Sequence, residues 1–116
     1  MIRKAEDCNK DTRVSMRGGK GEVHLTALAT KEELLNHARM HSVIELPAGS
    51  GIGYHEHAGE TEIFYILEGE PVYSDNGTEV TLHAGDVAIC PPGEGHSISN
   101  NTESAVRMVA TIVVEK

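Results

Sequence analysis

His55, His57 and Glu62 lie within eight residues of one another, and their types suit metal coordination. On an extended chain, residues i and i+2 point to the same face, so the two imidazoles of His55-Glu56-His57 can converge on one point. Gly59 permits a turn before Glu62 opens the next strand-like run, which lets a carboxylate approach that point from a neighbouring strand. His96 begins a later run just after a glycine-rich turn and is the natural third imidazole. Three neutral nitrogens and one carboxylate suit first-row divalent ions such as manganese, iron, cobalt, nickel, copper or zinc. Four protein ligands leave about two positions of an octahedral ion open, which is the form of a binding or catalytic site. The other histidines, His24, His37, His41 and His83, have no such partners in the sequence and read as surface or satisfied core residues.

The elements that must position these residues are short strands. Val23 to Leu28 reads as a first strand. Thr30-Lys31-Glu32-Glu33 fits a capping box, which predicts a short helix to about Ala38 with Leu34, Leu35 and Ala38 on one face. Further runs are Met40 to Leu46, Glu62 to Leu67, Val72 to Ser74, Glu79 to Leu82, Val87 to Cys90, His96 to Asn100 and Ala105 to Val114. Turn residues separate them, with Asp75-Asn76-Gly77 a strong hairpin signal. Short strands at this regular spacing predict a β-sandwich or barrel. Residues 1–20 are polar and form an arm or an edge strand, with pairing along a neighbour's edge as the first expectation and folding back on the same subunit as the second. Residues 21–116 form the single barrel domain.

The chain has 116 residues, enough for one domain and too few for two. With one Phe, three Tyr and no Trp, the core must be mostly aliphatic. The net charge of −8 disfavours nucleic acid and anionic lipid as partners. The longest apolar run, Met108 to Val114, is too short to span a bilayer, and residues 1–7 lack the apolar core of a signal peptide. Cys8 and Cys90 make no disulfide framework; two free thiols point to a reducing, cytoplasmic setting.

Two segments carry a resemblance to a known family. Gly49, His55, His57, Glu62 and Gly69 have the spacing of cupin motif 1, and Gly85, Pro91, Gly93, His96 and Asn100 that of cupin motif 2. Every fixed position matches, so the chain resembles a small single-domain cupin across residues 49–100. The resemblance implies an all-β double-stranded β-helix, or jelly roll, here with one short N-terminal helix. Carried over position by position, it implies His55, His57, Glu62 and His96 as ligands of a divalent transition metal: manganese, iron, nickel or zinc, with manganese or iron first. It also implies turn-shaping roles for the glycines and Pro91, and a structural role for Asn100. Cupins include decarboxylases, dioxygenases, isomerases and non-catalytic binding domains, so the fold does not choose among them.

Strand parity describes the cavity. If Glu62 points inward, so do Phe64 and Ile66, and the matching inward sets are Met40, Ser42, Ile44, Leu46 and Val106, Met108, Ala110, Ile112. Arg39, His41, Glu45 and Arg107 then point out, unless a bulge inverts a strand. The cavity is small and apolar, with no obvious cation or free general base. Tyr54, Tyr65, Tyr73 and Ser97 remain as candidates for supporting or proton-transfer roles. A small carboxylate-, enol- or sugar-like molecule is the expected ligand, either as substrate or as cargo. Ile63, Tyr65 and Leu67 face outward as an apolar strip, which predicts a homodimer.

Overall fold

The computed structural model describes residues 1–115. Ten strands form two antiparallel sheets: β1 Lys10–Val14, β2 Glu22–Ala27, β3 Ala38–Leu46, β4 Gly51–Glu56, β5 Glu60–Glu68, β6 Val72–Asp75, β7 Thr78–Thr81, β8 Val87–Cys90, β9 Gly95–Ser99 and β10 Val106–Val114. The larger sheet runs β1-β2-β3-β10-β5-β8 and the smaller β4-β9-β6-β7. Their facing surfaces make the jelly roll. Alternation along each strand supplies the core: Ile44, Leu46, Phe64, Ile66, Ile98, Val106, Met108 and Ala110 are all buried. The inward sets expected on β3, β5 and β10 therefore hold, with Met40 partly buried. The hairpin β6–β7 turns at Asn76 and Gly77, both at positive φ, as the two central residues of a type I′ turn require.

The helix expected from Thr30 does not form. Residues 31–36 are a compact turn, and β3 begins already at Ala38. The capping box itself is present: Glu33 N–H donates to Thr30 Oγ1 at 3.1 Å, and Thr30 N–H to Glu33 Oε1 at 2.8 Å. Propagation stops because Leu35 and Asn36 both adopt positive φ, turning the chain toward the sheet. A helical nucleus fixes several residues for one bond and needs further turns to repay that cost. Only six residues separate Thr30 from His37, so pairing of the following residues with β10 prevails.

The polar leader pairs with its own chain. Lys10 to Val14 runs antiparallel to β2 as the outermost strand of the larger sheet. The leader then crosses to the smaller sheet, where a 3₁₀ turn over Met16–Gly18 lies against β4. That approach is backbone on backbone. A Cβ at Gly53 would overlap the Arg17 carbonyl, and one at Gly19 would overlap the Gly51 carbonyl, so glycine is needed at both places. The leader thus belongs to the outer layer of the same barrel. Strand β4 has no counterpart among the strands expected from sequence, because its glycines weaken the strand pattern.

Asn100 is fully buried and ties two segments together. Its amide donates to the carbonyls of Leu46 and Ser104, each at 2.8 Å, and its carbonyl accepts from the Thr102 N–H and hydroxyl. It joins the end of β3 to the turn before β10, which is the structural role expected for it.

Candidate metal centre

The four candidate ligands come from three strands and one loop. His55 is the last residue but one of β4, His57 follows the strand, Glu62 lies in β5 and His96 in β9. A bulge decides which way His55 points. Ile52 pairs with Ile98, but His55 pairs with His96, so β4 carries one extra residue between them. Without that residue, alternation from the buried Ile52 would send His55 outward. With it, both His55 and Ile52 face the interior, and the i, i+2 relation then brings His57 to the same side.

The donors converge. His57 Nε2 and His96 Nε2 are 3.0 Å apart, and each lies 3.1 Å from Glu62 Oε1. His55 Nε2 is 3.9 Å from the same oxygen. The three imidazoles meet edge to face around this point, with ring centroids 4.8 to 5.0 Å apart. Two donors about 2.1 Å from one ion and at right angles stand about 3.0 Å apart, so these spacings fit neighbouring positions around a single cation. Such a cation would also resolve the 3.0 Å approach of His57 Nε2 to His96 Nε2. Burial pushes the Glu62 carboxyl up, but the imidazoles of His55, His96 and His57 outweigh it and hold it at about 2. An ionised carboxylate beside three imidazoles matches the borderline donor set that first-row metals prefer.

Each imidazole is anchored through its other nitrogen. His55 Nδ1 lies 2.8 Å from the Gly53 carbonyl, His57 Nδ1 2.8 Å from Glu60 Oε1, and His96 Nδ1 2.8 Å from the Tyr73 hydroxyl. Anchoring at Nδ1 leaves Nε2 free to coordinate. Phe64 stacks on the His96 ring at 5.2 Å and 12°, which holds its plane. Of the four supporting candidates, Tyr73 alone has a hydrogen bond to a candidate ligand. Tyr54 lies across Gly95, Tyr65 is on the outer face of β5, and Ser97 alternates with His96 on β9.

Glu60 was not among the candidates from sequence. Its signal was there: it stands two residues before Glu62 and so shares its face of β5. Arg39 is exposed, as expected, and closes on Glu60 with two bonds of 2.7 and 2.8 Å. The reason is a second bulge. Met40 pairs with Ile112 and Ala38 with Val113, so Arg39 has no partner in the ladder and its side chain is re-aimed across the end of β10. Arg39 is the main cause that holds the Glu60 carboxyl at about 2, against the opposing effect of burial, and His57 adds to it. Two further groups face the interior. Cys90 is the register partner of Glu62, and burial pushes its thiol up to about 11. Burial also pushes the Tyr73 phenol up.

A jelly-roll barrel with three imidazoles and one carboxylate gathered inside it defines a class of small barrels built to carry a metal. The chain belongs to the cupin family: the cupin domain pattern matches residues 42–114. A curated relative, the oxalate-binding protein of Thermotoga maritima, is 42% identical over 114 residues, spanning 98% of this chain and 94% of that protein. The solved structure of a predicted oxalate decarboxylase from Thermotoga maritima is 42% identical, with a TM-score of 0.93 over 98% of this chain and 99% of that one. The cupin domain of Schizosaccharomyces pombe Cnp3 is 26% identical, with a TM-score of 0.71 over 80% of this chain and 61% of that one.

Proposed function

We propose that the barrel holds one divalent transition metal, manganese or iron first, on His55, His57, Glu62 and His96, and binds a small dicarboxylate of the oxalate class beside it. The convergence of four donors on one point, three of them anchored imidazoles, carries this reading. A metal bound there supplies a Lewis acid with about two open positions for carboxylate oxygens. The name of the Thermotoga maritima relative supports oxalate as the first ligand to try. The chain's own residues favour binding over turnover. Buried side chains tied to the donors by contact or register are Phe64 and Tyr73 at His96, and Cys90 and Ile112 beside Glu62. Tyr73 and Cys90 keep their protons at neutral pH, and Tyr73 is already engaged with His96. Glu60 is held by Arg39. Decarboxylation or isomerisation needs a group that exchanges a proton near pH 7 within reach of the ligand. No side chain just named is free for that, so the barrel acts as a carrier or sensor of its ligand. The working protein is a homodimer located in the cytoplasm.

Calorimetry with the Mn²⁺- or Fe²⁺-loaded protein tests the reading. Oxalate is expected to bind once per chain, and to lose binding when the metal is chelated. In the His57→Ala and His96→Ala variants, elemental analysis should find less than about a tenth of the wild-type metal. Full metal occupancy in both variants would sink the site assignment. Release of CO₂ from oxalate by the loaded protein would replace carriage with catalysis.

A further inference from the structure

The carboxylate behind His57 carries the further inference, which rests on the metal reading just given. His57 lies between two carboxylates. Glu60 Oε1 is 2.8 Å from its Nδ1, and Glu62 Oε1 is 3.1 Å from its Nε2. A neutral imidazole has one proton, so Glu60 on the Nδ1 side competes for it with Glu62 and with His96 Nε2, 3.0 Å away, on the Nε2 side. If the proton sits on Nδ1, the Nε2 lone pair faces the convergence point and can coordinate. If it sits on Nε2, it donates to Glu62, and both the lone pair and one carboxylate oxygen are lost to a metal. The side with the better acceptor wins. Glu60 has the shorter contact, and Arg39 clamps its carboxylate through both oxygens at 2.7 and 2.8 Å, which fixes the acceptor in place. The other two imidazoles lack this device. His55 is anchored on a backbone carbonyl and His96 on a phenol, both neutral.

We propose that Glu60, clamped by Arg39, is a positioning residue that holds the His57 proton on Nδ1 and thereby sets the metal affinity of the site. The pair reaches its place through the fold. The bulge at Arg39 in β3 aims the guanidinium across the end of β10, and Glu60 enters β5 on the same face as Glu62. Neither residue is a ligand. Both act on the metal only through the His57 ring.

The test uses Co²⁺ as the probe, titrated into metal-free protein against a chromophoric chelator. Wild type should bind one Co²⁺ per chain. Glu60→Ala should keep that stoichiometry and bind about 10–100-fold more weakly, the usual cost of losing a group behind a ligating histidine. Arg39→Met should weaken binding about tenfold, and Glu60→Gln, which keeps an acceptor at Nδ1, less than Glu60→Ala. Glu68→Gln, on the outer face of β5, should change nothing. Long-range ¹H–¹⁵N spectra of the metal-free protein give the second readout. The His57 ring should be the Nδ1–H tautomer in wild type and shift toward Nε2–H in Glu60→Ala, a change that loosened packing alone would not produce. Should Glu60→Ala fail to fold, Arg39→Met carries both measurements. Wild-type affinity and an unchanged His57 tautomer in the variants would overturn the proposal while leaving the metal site standing. Absence of Co²⁺ binding in wild type would overturn both.

Discussion

Tyr73 shows how a single side chain connects the core to the site. Its ring is buried against Phe64, edge to face at 6.2 Å, and its hydroxyl reaches His96 Nδ1. Tyr73→Phe keeps the ring and removes only the hydroxyl. His96 Nδ1 would then be buried without a partner, at a cost of about 1–2 kcal/mol. Urea unfolding of the metal-free protein should register that loss. Co²⁺ affinity should fall about tenfold, because the His96 ring loses the group that sets its tautomer. An unchanged affinity would mean that Phe64 stacking alone orients His96. The outward placement of Tyr54 and Tyr65 leaves neither with such a role. Tyr73 was one of four candidates in the sequence, and cross-strand pairing with Ile98 is what turns it inward.

At the scale of elements, the turn after β2 acts as a latch for the leader. Arg3 donates to Glu33 at 2.7 Å and to the Leu28 carbonyl at 3.0 Å, joining the first residues to the capping-box turn. The hydrogen bond from Arg3 and the backbone bond at Thr30 hold the Glu33 carboxyl at about 2, below its ordinary 4.5. The folded state therefore binds the Glu33 proton less readily than the unfolded chain does. Its contribution to stability is complete above pH 4.5 and is lost as pH falls toward 2. The pair is exposed, so the effect is small. A carboxyl-detected NMR titration should place the Glu33 midpoint near 2, and in the Arg3→Met variant nearer 4.5. The stability gap between wild type and Glu33→Gln should close over the same window. A Glu33 midpoint of 4.5 in wild type would show that the latch is open in solution.

For the whole molecule, the outer face of the larger sheet is the main surface left to explain. Tyr65, Leu67, Val87, Ile89 and Val113 are each more than a third exposed. The register sets Ile63 beside Ile89 and Tyr65 between Val87 and Val109, so the patch is continuous across β8, β5 and β10. A second copy packed against this face would bury a large apolar area, which is the basis for proposing a homodimer. Light scattering coupled to size exclusion should give a dimer mass for wild type at micromolar concentration. Tyr65→Glu should give a monomer with unchanged Co²⁺ stoichiometry, since its side chain points away from the donors. A wild-type monomer would rule the dimer out.

The sequence by itself determined the family, the four residues that cluster inside the barrel and the inward faces of β3, β5 and β10. These are local facts: motif spacing and two-residue alternation survive in any extended strand, whatever packs beside it. The tertiary structure decided what local pattern cannot carry. The nucleus at Thr30 lost to strand pairing, because six residues give a helix too few bonds to compete with a ladder on β10. The leader's partner depended on two glycines that let backbones touch. The bulges in β4 and β3 are features of register between strands far apart in the chain. They turned His55 toward the interior and brought Arg39 onto Glu60, and with it the second carboxylate behind His57.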